Sequence, residues 1–196
     1  MNPFRLITLS IVVFCGFGVQ ADELSKTLPD HSYLKTRDPL SMKARGFFSA
    51  LQKRDYPYFQ DFFADSVKTE INGDVIEGKD LYIERLKHIS NDLFYEIEWG
   101  WLHVHTNYFA PDALGPDTLI INPVATMGEK RSESTIWSNC WTLERMKGNY
   151  TGNEIEIPMH LDFRWSNGRV VHVLGYYDPD ELNEERIAWK LENPDE

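Results

Sequence analysis

Residues 148–179 read GNYTGNEIEIPMHLDFRWSNGRVVHVLGYYDP. Two alternating runs, Glu154 to Trp165 and Arg169 to Tyr177, flank the pair Asn167-Gly168. Asn and Gly both tolerate positive φ, so the pair predicts a two-residue hairpin turn. Counting outward from it sets Arg164 against Val171, Asp162 against Val173 and His160 against Gly175. Alternation then predicts that His160, Asp162, Val173, Gly175 and Tyr177 share one face of the hairpin, with Leu161, Phe163, His172, Leu174 and Tyr176 on the other. A bulge in either strand would shift this register.

Upstream of the hairpin three more runs have strand character: 94–109, 118–127 and 134–146. Before Asn91 the apolar period is helical instead. A first helix is predicted from near Ser41, its N-cap, with Ala44, Phe47, Phe48 and Leu51 on one face. Pro57 opens a short second helix with Phe59, Phe62 and Phe63 inward. A short strand, Val67 to Ile71, ends at the turn Asn72-Gly73-Asp74. Gly78 precedes a third helix, about Lys79 to Ser90, with Tyr82, Leu86 and Ile89 on one side. The acidic tail carries Leu182, Ile187, Trp189 and Leu191 at the spacing of a short terminal helix, its charges forming a solvated face. Helices first and a meander of strands afterwards predict an α+β domain, with a helical layer on one face of an antiparallel sheet.

The N-terminus, MNPFRLITLSIVVFCGFGVQA, has one basic residue, an apolar run from Leu6 to Gly18 and small residues at its end. That is the layout of a secretory signal cut after Ala21, and the apolar run is short for a membrane span. Lipid attachment at Cys15 is the alternative, disfavoured by the bulky Phe14 before it. The organisation is therefore 1–21 signal peptide, 22–40 arm or linker, 41–180 globular domain and 181–196 acidic helix or tail. A periplasmic or secreted location follows. Signal removal leaves Cys140 as the lone cysteine, so no internal disulfide can form; it reads as a core thiol, with a reactive thiol as the alternative. The net charge of −11 makes nucleic acid an unsuitable partner.

Two stretches resemble a known family. YFQDFFADSVKTEINGDVIEGKDLYIERL, residues 58–86, is similar to the helix–strand–helix opening of the SnoaL-like branch of the nuclear transport factor 2-like superfamily. Residues 148–179 resemble its closing strands, through a Thr-Gly turn, an Ile-x-Ile-Pro strand, a Gly turn and a Tyr-Asp-Pro exit. The resemblance spans roughly Met42 to Pro179. It implies a conical fold of three N-terminal helices packed in a curved antiparallel sheet with a pocket at the open end. It also implies a choice among cyclases, isomerases, epoxide hydrolases and non-catalytic members, which the fold does not settle.

The residues at the family's catalytic positions do not carry its known chemistries. Where ketosteroid isomerases hold a hydrogen-bonding tyrosine, a general base and a protonated acid, the matching positions here are Phe47, Ile71 and His160. A dienolate needs a donor and a proton acceptor that Phe47 and Ile71 cannot supply. The acid that polyketide cyclases carry on the last strand falls on Gly175. No Asp-Arg-Asp triplet of the epoxide-hydrolase kind can be placed. The remaining acid–base candidate is His160 with Asp162, two apart on one strand and separated by roughly 6–7 Å unless they converge.

In WGWLHVHTNYF, alternation puts Trp99, Trp101, His103 and His105 on one face, while Trp137 and Trp141 alternate in phase on TIWSNCWTL. Such tryptophans suit a packed core or an aromatic wall. His103 and His105 read as a half-buried polar pair; zinc, with a third ligand from His160 or His172, is the weaker alternative. Asn149-Tyr150-Thr151 matches a glycosylation acceptor. The expectation is an exported domain that binds a small apolar or aromatic molecule in a pocket formed by Phe47, Ile71, Trp99, Trp101, Trp141, Val173, Gly175 and Tyr177. No metal or cofactor is implied, and there is no membrane association after signal cleavage. The alternatives are a lyase, isomerase or hydrolase using His160 and Asp162, and a non-catalytic module that forms a homodimer.

Overall fold

The computed structural model describes residues 31–111 and 134–194. The expected signal peptide 1–21 and strand 118–127 lie outside the described residues. Elements run in the order β1 (Tyr33–Lys35), α1 (Pro39–Lys53), α2 (Tyr56–Phe62), β2 (Phe63–Ile71), β3 (Asp74–Glu77), α3 (Lys79–Lys87), a π-helical turn (His88–Leu93), β4 (Phe94–Phe109), β5 (Thr135–Gly148), β6 (Glu154–Ser166), β7 (Arg169–Tyr177) and α4 (Asp180–Glu192). The expected α+β order of helices, then a strand meander, then a terminal helix is what the chain forms.

The strands make one open seven-stranded sheet in the order β1-β4-β5-β6-β7-β2-β3. Every neighbouring pair is antiparallel except β2 with β7, which is parallel. Helices α1 to α3 lie in the concavity of this sheet. Their inward side chains are mostly aromatic: the Phe47 ring sits 5.1–6.2 Å from those of Phe48, Phe59, Phe62, Phe63 and Phe163. All six are 0–1 % exposed. Burying that much aromatic surface is the main stabilising contribution in the domain.

Helix α1 begins at Pro39, so its N-cap lies three residues before the expected Ser41. Its N-cap is Asp38, whose carboxylate accepts from the backbone N–H groups of Leu40 (3.3 Å) and Ser41 (3.4 Å). Pro39 follows as the first helical residue, where its missing N–H costs nothing. Ser41 is inside the first turn, and its hydroxyl bonds Asp38, the Lys35 carbonyl and Thr106. Burial pushes the Asp38 carboxyl up, but hydrogen bonds from Ser41 and Tyr108 outweigh it and hold the group below the usual carboxylate range. Part of the expected arm is therefore structured, with β1 pairing with β4.

Two bulges decide which residues face the cone. The turn Asn167-Gly168 has positive φ at both positions, 49° and 72°, as the sequence predicts. The pairing then slips between Arg164 and Trp165: Trp165 pairs with Val170 but Arg164 pairs with His172, leaving Val171 as the extra residue. The expected pairs Arg164–Val171, Asp162–Val173 and His160–Gly175 are replaced by Arg164–His172, Asp162–Leu174 and His160–Tyr176. On β4 the slip lies between Trp99 and Trp101, with Gly100 as the extra residue.

Candidate functional site

The inner surface of β5, β6 and β7 meets α1, α3 and α4 around a small, largely apolar cavity of about 50 Å³. Phe47, Leu51, Ile71, Leu86, Leu161 and Leu182 supply apolar wall, with Trp99 and Met159. Besides the Trp99 indole, four lining residues carry polar side-chain atoms: Tyr82, Arg85, Glu144 and Tyr177. The Trp99 indole N–H donates to the Phe48 carbonyl at 2.9 Å, which fixes that ring in the wall. Arg85 is engaged, at 3.6 Å, with Asp74.

Glu144 is the residue that the sequence reading missed. It is 3 % exposed and faces inward from β5, paired across the sheet with Trp99 on β4 and Ile157 on β6. Among the described residues its carboxyl has no hydrogen bond and no ion pair. Burial alone pushes its pKa up to about 8, so it is protonated at neutral pH. The other buried acid of this end, Glu185 on α4, is 1 % exposed but fully engaged. It accepts from Tyr150 N (2.6 Å), Thr151 N (3.1 Å) and the Thr151 hydroxyl (2.6 Å).

Of the residues expected in the pocket, Phe47, Ile71, Trp99 and Tyr177 line it. Val173 is core, at 0 % exposure, on the same side. Gly175 faces inward too, but the space beside it is taken: a Cβ there would come within 2.9 Å of both Ile71 Cγ1 and Leu161 Cδ2. The strand position at which the resemblance implies an acid is closed by neighbours, not merely missing a side chain. Trp101 and Trp141 are corrections. The Gly100 bulge turns Trp101 to the outer face, where it is 50 % exposed, and Trp141 lies there at 49 %.

His160 and Asp162 also require correction. Their neighbours Met159 and Leu161 line the cavity, so alternation turns both of them to the outer face. They do converge, with His160 Nε2 2.9 Å from Asp162 Oδ1, closer than strand spacing alone gives. The contact is not aligned as a hydrogen bond, and His160 Nε2 has no hydrogen-bond partner. Trp141 stacks on the His160 ring at 4.4 Å. Asn139 donates to Asp162 at 2.5 Å. Burial raises the Asp162 pKa against the opposing pull of His160 and Asn139. His103 and His105 share this outer face, with ring centroids 5.4 Å apart. Burial, then the His103 charge, lowers the His105 pKa. Among the described residues no group of three or more His, Cys, Asp or Glu is arranged to hold a metal.

Cys140 is buried in the core, and burial pushes its thiol well above the ordinary range. The Asn149 side chain donates to the carbonyls of Asn91 (3.1 Å) and Asp92 (2.8 Å), and Thr151 is bound to Glu185, so the glycosylation pattern is engaged in the fold.

No family model and no curated protein matches the chain. Solved structures do. A protein provisionally assigned as a polyketide cyclase, from Xanthomonas campestris pv. campestris, superposes with TM-score 0.54 at 14 % identity over 77 % of this chain and 98 % of its own. An NTF2-like protein of unknown function from Burkholderia pseudomallei K96243 gives 0.51 at 16 % identity, over 75 % and 96 %. A protein provisionally assigned as a SnoaL-like polyketide cyclase, from Shewanella denitrificans OS-217, gives 0.51 at 12 % identity, over 77 % and 98 %. At such identities the likeness speaks for the fold.

Proposed function

We propose that this chain, which has the SnoaL-like form of the nuclear transport factor 2-like fold, binds a small apolar or aromatic molecule inside its cone. One observation carries the reading: a small cavity at the mouth of the cone, walled by aliphatic and aromatic side chains, contains a buried carboxyl that the protein leaves unengaged. An apolar lining with a few convergent polar groups is the usual form of small-molecule sites. The proton-transfer groups of the related chemistries do not occupy it, and the His160–Asp162 pair lies on the other side of the sheet, so binding is favoured over catalysis by that pair. A thermal-shift and native-mass screen of single-ring compounds tests the reading. At least one should raise Tm and form a one-to-one complex, and Leu161→Trp, which fills the cavity, should abolish both effects. A folded sample that binds no member of the set overturns it. Export is part of the proposal, supported by the N-terminal sequence, with the periplasm or the exterior as the location.

A second reading concerns the outer face, where Trp101 and Trp141 remain about half exposed beside four histidines: His103, His105, His160 and His172. Two half-exposed tryptophans side by side form an apolar patch, and that patch suits a second copy of the same chain. Sedimentation velocity would then give a dimer mass.

A further inference from the structure

We propose that Glu144 is the polar anchor of the cavity, placed to hydrogen-bond the oxygen of a neutral and otherwise apolar ligand such as an aryl ketone or aryl alcohol. The inference rests on the binding reading above and deepens it by naming the ligand class.

The first ground is geometric. Glu144 faces inward from β5, buried to 3 % exposure, on a cavity whose lining is mostly apolar. A polar group in such a place normally has a partner, and leaving it without one destabilises the fold. Glu185 shows how this chain satisfies a buried glutamate when the role is structural: three donors converge on it. Nothing converges on Glu144. Its missing partner is supplied most simply by the molecule that fills the cavity.

The second ground is charge. Burial keeps the Glu144 carboxyl protonated at neutral pH, so it offers one O–H donor and an acceptor oxygen. A ketone accepts that proton in a hydrogen bond, and an alcohol both accepts and donates. A cationic ligand is disfavoured because Arg85 lines the same cavity and Arg186 stands near enough to Arg85 for the two to repel. A carboxylate is disfavoured because the walls are apolar and Arg85 already faces Asp74. The hydroxyls of Tyr82 and Tyr177, which also line the cavity, make no hydrogen bond among the described residues and can serve a second ligand oxygen.

Four single-ring probes of similar shape separate the possibilities: ethylbenzene, acetophenone, benzoate and benzylamine. Binding to the full chain at pH 7 would be measured by calorimetry or by ligand-observed NMR. Acetophenone is expected to bind roughly tenfold more tightly than ethylbenzene, the weight of one buried hydrogen bond. Glu144→Leu should remove that ratio while still binding ethylbenzene. Glu144→Gln, which keeps a donor and an acceptor, should retain most of it. Equal affinity of acetophenone and ethylbenzene for the wild-type chain overturns the anchor but leaves the pocket. A ratio that survives in Glu144→Leu overturns it as well, and so does tightest binding of benzoate or benzylamine. Failure of all four probes removes the pocket reading and this inference with it.

Discussion

Glu144 gives the protein a testable pH dependence. Its pKa stands at about 8 in the folded chain against 4.5 for an ordinary glutamate, so the folded state holds a proton that the unfolded chain releases. A raised folded pKa makes stability greatest below about pH 4.5 and erodes it as pH rises toward 8. The slope approaches about 1.4 kcal/mol per pH unit across that window from this group alone. The groups that line the cavity with it are Tyr82 and Arg85 on α3 and Tyr177 on β7. Tyr82 itself is pushed far up by burial and stays neutral throughout. Urea unfolding of wild type and Glu144→Gln at pH 5 and pH 8 should show the wild type losing stability on going to pH 8, and the variant losing clearly less. Parallel curves would mean that Glu144 does not hold its proton. The residue was legible in principle. In SNCWTLERMKG it alternates in phase with Cys140 and Met146, two inward core positions. The adjacent Glu144-Arg145 looks like a solvated charge pair, and that appearance masks the parity.

Most of the fold could be read at the level of elements, because periodicity and turn chemistry act locally. Asn167-Gly168, the Pro57 helix start, the Asn72-Gly73 turn and the long β4 strand all follow from their own residues. What could not be read is the bulge, since an extra residue is fixed by the strand it faces and not by the strand that carries it. Val171 and Gly100 each reverse the facing of the residues beyond them. For that reason His160 and Asp162 part from Tyr177, and Trp101 from Trp99: the first of each lie outside the cone, the second inside. The charges of helix α4 were expected to form a solvated face, yet Glu185 is buried and docks the helix, while Leu182 enters the cavity wall. Gly148 leaves room for that carboxylate: a Cβ there would lie 2.1 Å from Glu185 Oε2. Glu185→Ala strips acceptors from two backbone N–H groups and should cost about 2–3 kcal/mol in chemical denaturation. Hydrogen exchange should rise first in 180–192. An unchanged unfolding midpoint would show that the docked helix is held by its apolar contacts alone.

Over the whole molecule, acidic charge and the outer face oppose each other. Two copies of a chain with net charge −11 repel at long range, and salt screens that repulsion within about 8–10 Å at 0.1–0.15 M. If Trp101 and Trp141 form the centre of a self-association face, the dimer should strengthen as salt rises from 20 to 300 mM. Trp141→Glu should give monomer at every salt concentration without loss of helix and sheet signal. A dimer that weakens with salt, or that survives Trp141→Glu, would place the interface elsewhere.

The parallel pairing of β2 with β7 has a kinetic consequence. Residues 68–71 are joined to 172–175, and they border the aromatic centre built from α1 and α2. The early part of the chain can form its helices at once, but the strand beside them has no neighbour on its inner edge until the last strand exists. Loop closure over that separation delays the cooperative step, so refolding belongs to the slow regime of milliseconds to seconds typical of non-local sheets. A chain ending before Arg169 would lack that neighbour altogether, leaving an open strand edge next to a cluster of phenylalanines, the pairing most prone to aggregation.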